Sequence, residues 1–282
     1  RSHLRERKTR PSLCDLSSSS NEAHAMLKKF SFCALAAAAM LTATTLSAKE
    51  LRVATNPTFA PFEFVNSQTK EITGFEMNLI RAMGKKAGYD VVIQSIDFDG
   101  IIPAVMSGNV DVGASGFSIN DKRKEKVNFL NPFYKSGFTI LVHKSQADKI
   151  KSFDDLKGKK IAVQLGSISA DKAKEVPDAQ IKTFNHSGEA ILELANGGVD
   201  AMINSNPATE YMLQVQPKIA ETTVLVPGWL TSAPVGQIVN KKNTALQAEL
   251  NAALDALKKD GEYAAIYKKW FGSEPDFAAL GI

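Results

Sequence analysis

Between residues 51 and 114, three short apolar runs alternate with two segments of helical period, and no other feature limits the fold so tightly. Leu51-Arg52-Val53-Ala54, Tyr89 to Ile96 and Val110 to Ala114 read as strands. Phe75, Leu79 and Met83 share one face of a helix that stops at Gly88. Ile101, Ile102, Val105 and Met106 belong to a second helix, opened by Asp97 or Asp99 as its N-cap and stopped at Gly108. Crossovers this short predict a parallel βαβαβ sheet. Ligands of such sheets bind at the carboxyl ends of the strands, so the segments leaving those ends are where chemistry is expected.

Two of those segments are informative. Thr55 to Phe62 is a loop held extended by Pro57 and Pro61, with Phe59 as a candidate wall for a ligand and Phe62 as a core residue. Gly113 to Arg123 reads Gly-Ala-Ser-Gly-Phe-Ser-Ile-Asn-Asp-Lys-Arg. Gly116 lets a ligand approach the backbone, Ser118 and Asn120 can cap a helix beginning near Asp121, and Arg123 offers a planar fork of donors matched to a carboxylate. Together they point to a small carboxylate-bearing molecule; the plainer alternative is a turn whose Arg makes a surface ion pair. Phe98, between strand and helix, either faces the same cleft as Phe59 or is buried at the helix entry.

Phe129 to Tyr134 breaks the alternation, and Gly137 to Val142 starts a fresh strand, which reads as a crossing into a second domain. That domain repeats the first in outline. Ser152 to Leu156 is a capped turn, Lys160 to Val163 a strand, and Gly166-Ser167-Ile168-Ser169 a polar helix start that suits an anion or is a simple cap. Ser187 is expected to cap a helix stopping at Gly197-Gly198. Strand Val199 to Ile203 leads into Asn204-Ser205-Asn206-Pro207 and a helix over 208–215. Val235 to Val239 reads as a strand, Leu246, Leu250, Leu254 and Leu257 as a core stripe, and Glu262 to Trp270 as a last helix. Completing the first sheet requires the chain to return, so two crossings and a hinge made of both are expected.

The net charge of +4 belongs to the front of the chain. Met26-Leu27-Lys28-Lys29, an apolar run from Phe30 to Leu41 and the exit Ser47-Ala48 form a signal-peptide pattern over 26–48. Residues 1–25 read as a disordered upstream extension. This leader region carries seven Lys/Arg and three Asp/Glu, so the 34 and 30 of the whole chain fall to 27 each. A neutral remainder gives no support to a nucleic-acid or anionic-membrane partner. Cys14 and Cys33 leave with the leader, and His143 and His186 lack metal-ligand spacing, so no disulfide, thiol catalyst, metal or cofactor is expected.

Several stretches taken together resemble a known family. Val53-Ala54-Thr55, Ala60-Pro61-Phe62-Glu63-Phe64, Gly74-Phe75-Glu76, Asp97 to Ala104, Asp121-Lys122-Arg123, Pro132-Phe133-Tyr134, Leu156-Lys157-Gly158-Lys159 and Ile266 to Gly272 resemble the polar amino-acid-binding proteins of ABC importers, solute-binding family 3, of the glutamine-, histidine- and arginine-binding type. The match covers nearly all of 49–272. It implies an α/β fold of two Rossmann-like lobes joined by a two-stranded hinge, periplasmic binding protein-like and of type II. Lobe 1 would take 49–134 and 235–282, and lobe 2 would take 135–234 with the hinge segments. It implies a monomeric periplasmic receptor that closes on its ligand by hinge motion and delivers it to an inner-membrane ABC permease.

Residue by residue, the resemblance makes Arg123 the partner of the ligand carboxylate, assisted by Gly116 and Ser118 and, from the second lobe, by Ser167. Phe59 and Phe98 would sandwich the aliphatic part. Asn56, Ser115 and Gln164 fall where relatives touch the ligand side chain or line its pocket. Ser205 departs from the pattern, because relatives usually place there an Asp that pairs with the α-ammonium. A hydroxyl brings no charge, so either Asn204, Asn206 or Glu63 compensates or the ligand lacks a free ammonium. Neutral Asn56 and Gln164 also argue against a strongly cationic ligand side chain. The alternative reading, a cyclohexadienyl dehydratase-like enzyme on the same fold, needs a cleft acid of raised pKa. Its turn at 204–206 offers none, which leaves Glu63 and Glu210. No Gly-x-Ser-x-Gly elbow supports a hydrolase.

Overall fold

A computed structural model describes residues 48–282; the extension over 1–25 and the leader, Ala48 apart, lie outside the described residues. Two sheets carry the architecture. In the first, the strands run in the order Tyr89–Ser95, Lys49–Thr55, Val112–Gly113, Ile238–Val239 and Asn128–Phe129. Its first three strands are parallel, with Val53 opposite both Ile93 and Val112, as the alternation predicts. Ile238–Val239 joins them antiparallel, so the sheet is completed by a segment more than a hundred residues downstream in the chain.

Both faces of this sheet are covered, which explains its near-continuous apolar strands. Helix Phe75–Lys86 buries Phe75, Leu79 and Met83 on one face against the leucine stripe of Thr244–Asp260 and against Tyr263. Helix Phe98–Ser107 covers the other face, packing Ile101 and Val105 against Ala54, Val127 and Ile238.

The second sheet runs Gln180–Phe184, Lys160–Gln164, Ala201–Ser205, Tyr134–His143 and Thr223–Leu225. Helix Ile168–Ala173 packs on one side and Ser187–Ala195 on the other. The chain passes between the two lobes along Tyr134–His143 and returns along Thr231–Val235. These strands pair antiparallel, with Tyr134 opposite Val235 and Phe138 opposite Thr231. The fold is therefore two α/β lobes with mixed sheets and two connecting strands.

The differences from expectation are local. The return segment is two strands, Thr231–Val235 and Ile238–Val239, because the first pairs with the outgoing strand and the second with the first sheet. The helix after the 204–206 turn starts at Asn206, with Pro207 in its first turn, where a missing N–H costs nothing. Ser187 caps no helix: its hydroxyl donates instead to the Thr58 carbonyl at 2.9 Å, across the cleft between the lobes. Among the described residues no helix is long and apolar enough to cross a membrane.

Candidate functional site

The carboxyl ends of both parallel sets face one another across a cleft whose free space, part of it open to solvent, is about 630 Å³. All ten residues singled out in the sequence line it: Asn56, Phe59, Phe98, Ser115, Gly116, Ser118 and Arg123 from the first lobe, and Gln164, Ser167 and Ser205 from the second.

Arg123 owes its place to the turn before it. Asn120 caps the short helix Asp121–Lys124, its side chain accepting from the Arg123 N–H at 2.8 Å. Ser118 does not cap; its carbonyl accepts from Arg123 Nη1 at 2.9 Å, which aims the guanidinium into the cleft. The guanidinium lies over the rings of Phe98 and Phe117, 5.5 and 5.2 Å from their centroids, and Nη2 reaches the Gly166 carbonyl of the other lobe at 3.3 Å. Only 8% of the residue is exposed, and among the described residues no carboxylate lies within ion-pair distance. Burial pushes its pKa down to about 10, so it stays charged at neutral pH.

The floor of the cavity holds the opposite charge. Glu63 and Glu76 are both fully buried and face each other. Their closeness is built by Gly74, whose φ of 136° and close approach to the Phe62 carbonyl exclude a side chain. That approach lets the N–H groups of Phe75 and Glu76 reach the carbonyls of Pro61 and Phe62. Glu76 accepts from the Gly116 N–H at 2.7 Å, and Glu63 accepts from the Ser115 hydroxyl at 3.3 Å. The second oxygen of each has no other partner. Burial, and then the neighbouring Glu76 charge, push Glu63 well above the carboxylate range; burial raises Glu76 to about 7. The sequence marked Glu63 only as a compensating group and Glu76 only as part of a motif. Two acids thirteen positions apart gave no sign of touching.

Across the cleft the groups are neutral. Ser205 Oγ is 2.8 Å from Ser136 Oγ, and both are buried. Ser136 and Val235, missed in the sequence, reach the cavity because they sit on the two connecting strands. Ser167 caps Ile168–Ala173, accepting from the Ala170 N–H at 3.1 Å. Gly116, with φ of 61° and the Phe59 ring where a Cβ would stand, keeps the backbone open to the cavity. Glu210 is held by Asn206 Nδ2 and does not line the cavity.

Asn56 and Gln164 bond to each other. Gln164 Nε2 donates to Asn56 Oδ1 at 3.2 Å and to the Asn185 carbonyl at 3.0 Å, while Asn56 Nδ2 lies 3.1 Å from His186 Nδ1. With Ser187 on Thr58 and Lys122 on Asp171, they tie the lobes together. Both amides still line the cavity, as neutral groups partly engaged with one another.

The pattern of the bacterial extracellular solute-binding proteins, family 3, matches residues 51–273. A probable histidine-binding protein of Campylobacter jejuni is 33% identical over 227 residues, 80% of this chain and 86% of that one. An ancestral arginine-binding protein, solved with arginine, is 40% identical, with a TM-score of 0.76, over 80% of this chain and all of that one. An ancestral arginine-binding protein solved with glutamine is 41% identical, with a TM-score of 0.74, over 79% and 98%.

Proposed function

Because the chain belongs to family 3 of the bacterial extracellular solute-binding proteins, we propose that its cleft captures a polar amino acid by hinge closure and presents the closed form to an ABC permease of the inner membrane. It is a binding protein of the amino-acid importer type and not an enzyme. The family places it outside the cytoplasm; removal of a leader ending at Ala48 and a monomeric state complete the proposal.

The observation that carries it is Arg123: a buried cation that keeps its proton at neutral pH and has no direct ion-pair partner among the described residues, Asp171 acting on it only from beyond ion-pair distance. Leaving such a group unpaired costs several kcal/mol, about 3–5 by comparison with broken buried pairs, so the cleft is organised for an anion that arrives from outside. The ligand carboxylate takes both guanidinium nitrogens, with Ser118 and the N–H groups at Ser167 beside it. Phe59 and Phe98 flank its aliphatic part, and Gly116 and Ser115 approach it from below. Asn56 and Gln164 close the cleft over it, and Ser205 with Ser136 offers hydroxyls to its amino group. The lobes are taken as 49–134 with 235–282, and 135–234.

Titration calorimetry against a panel of amino acids tests the reading. Arginine, histidine and glutamine are expected among the binders. If no member binds more tightly than about millimolar, about −4 kcal/mol, the receptor reading is lost.

A further inference from the structure

Two buried acids, Glu63 and Glu76, lie in the floor of the cavity. We propose that the Glu63–Glu76 pair is the counter-charge for the positive group of the ligand, and that its protonation makes the receptor hold a cationic amino acid at neutral and alkaline pH and release it in acid.

Two buried carboxyls lie side by side beneath the 115–116 turn, close enough for each to act on the other's ionisation. Both side chains are fully buried, each uses one oxygen on a neutral donor, and each keeps a second oxygen without other partners. Two carboxylates cannot both be ionised in such a place without a cation, so the empty pair keeps at least one proton. The N–H of Gly116 favours charge on Glu76, which leaves Glu63 as the protonated partner. Glu63 is the member that lines the cavity.

Few other titratable groups face the pair. Arg123, the other charged residue lining the cavity, keeps its charge throughout the range concerned. The Tyr134 phenol, packed on Phe62 and Phe75, is pushed up by burial and stays neutral. The 113–118 turn brings only neutral groups. His186 bonds behind Asn56, outside the cavity lining, with Asp97 3.9 Å from its other ring nitrogen, and is the ionisable side chain to be tested as a rival.

The proton balance follows. With Glu76 near 7, the pair carries about one negative charge above neutrality and none well below it. A ligand cation binds the charged form. In acid, its binding therefore expels one proton to solvent, while at higher pH the charge is already present. Arginine itself exchanges no proton between about pH 5.5 and 8. Its affinity is accordingly expected to fall up to tenfold per pH unit below 7 and to level off above 8. This inference rests on the amino-acid-receptor reading.

The test is calorimetry with arginine at about pH 5.5, 6.5, 7.5 and 8.5, repeated in buffers of different ionisation enthalpy to count protons. Nearly one proton released at the lowest pH and almost none at the highest is the expected result. The double variant Glu63→Gln, Glu76→Gln is expected to bind arginine weakly at every pH, and His186→Gln to keep the wild-type pH dependence. An affinity that is flat with pH, a proton count of zero, or loss of the dependence in His186→Gln overturns the proposal while leaving the receptor reading intact. If no amino acid binds at any pH, it is the receptor reading that has failed. Should the double variant not fold, the proton count on the wild-type chain decides alone.

Discussion

The two charged ends of the cavity meet the cost of burial in different ways. At one end Arg123 stays ionised, since burial brings it down only to about 10, and the groups in contact with it are carbonyl oxygens and ring faces, with the Asp171 carboxylate beyond ion-pair distance. At the other end Glu63 and Glu76 limit their charge by keeping a proton. A guanidinium cannot use that route, because its proton is held too tightly to give up at neutral pH. The arginine end is thus a fixed charge awaiting a partner, and the glutamate end is an adjustable one. The cleft is permanently ready for a carboxylate and conditionally ready for a cation.

The strongest way to break this comparison is at the fixed charge. Arg123→Ala is expected to weaken any carboxylate ligand by about 3–5 kcal/mol, a loss of more than a hundredfold. The ligand-free protein should lose little stability, because the substitution removes an unpaired buried cation along with its stacking on Phe98 and Phe117. Calorimetry and thermal melts measure the two effects separately. Retained affinity would place the carboxylate elsewhere.

The adjustable end is tested through stability. A carboxyl raised from 4.5 to about 7 on folding contributes stability that is fully present below about pH 4.5 and is lost as pH rises through 7. For Glu76 the loss amounts to about 3 kcal/mol. Glu76→Gln keeps an oxygen for the Gly116 N–H but cannot ionise. Relative to wild type, its stability should rise by nearly that amount between pH 4.5 and 8.5. Parallel denaturation curves at both values would show that the pair is not a proton store.

Much of this contrast was legible in the sequence at the arginine end and little of it at the glutamate end. Arg123, Gly116 and Asn120 are neighbours in the chain, so one turn announces them, and the βα alternation says where that turn must lie. The two-lobe plan was readable for the same reason, since strand and helix periods are local. Glu63 and Glu76 meet only because a glycine lets two backbone segments touch, and Ser136 meets Ser205 through pairing of distant strands. The Ser187 hydroxyl reads as a cap because a sequence shows the helix start but not the Thr58 carbonyl on the opposite lobe.

A substitution at Ser205 sharpens the comparison by giving the neutral wall a charge of its own. Ser205→Asp puts a carboxylate beside Ser136 Oγ, opposite the acidic floor. It should tighten binding of an α-amino acid by about 1.5 kcal/mol, roughly tenfold. Unchanged affinity would mean that the amino group does not approach Ser205.

The smallest effect expected is at the amide bridge across the seam between the lobes, away from both charged ends. Gln164 Nε2 spans it to Asn56 Oδ1, and Asn56 is held in turn by Thr58 Oγ1 at 2.7 Å and by His186. Gln164→Ala removes this bridge without altering either charged end, so the encounter with ligand should be unaffected and only the closed state weakened. A net hydrogen bond contributes about 1 kcal/mol, which predicts release about fivefold faster at an unchanged association rate. Stopped-flow fluorescence on Trp229, which lies against Gly137 on the outgoing connecting strand, can follow both rates. A slower association with unchanged release would show that Gln164 contacts the ligand before closure, and that this wall, like the charged ends, belongs to recognition.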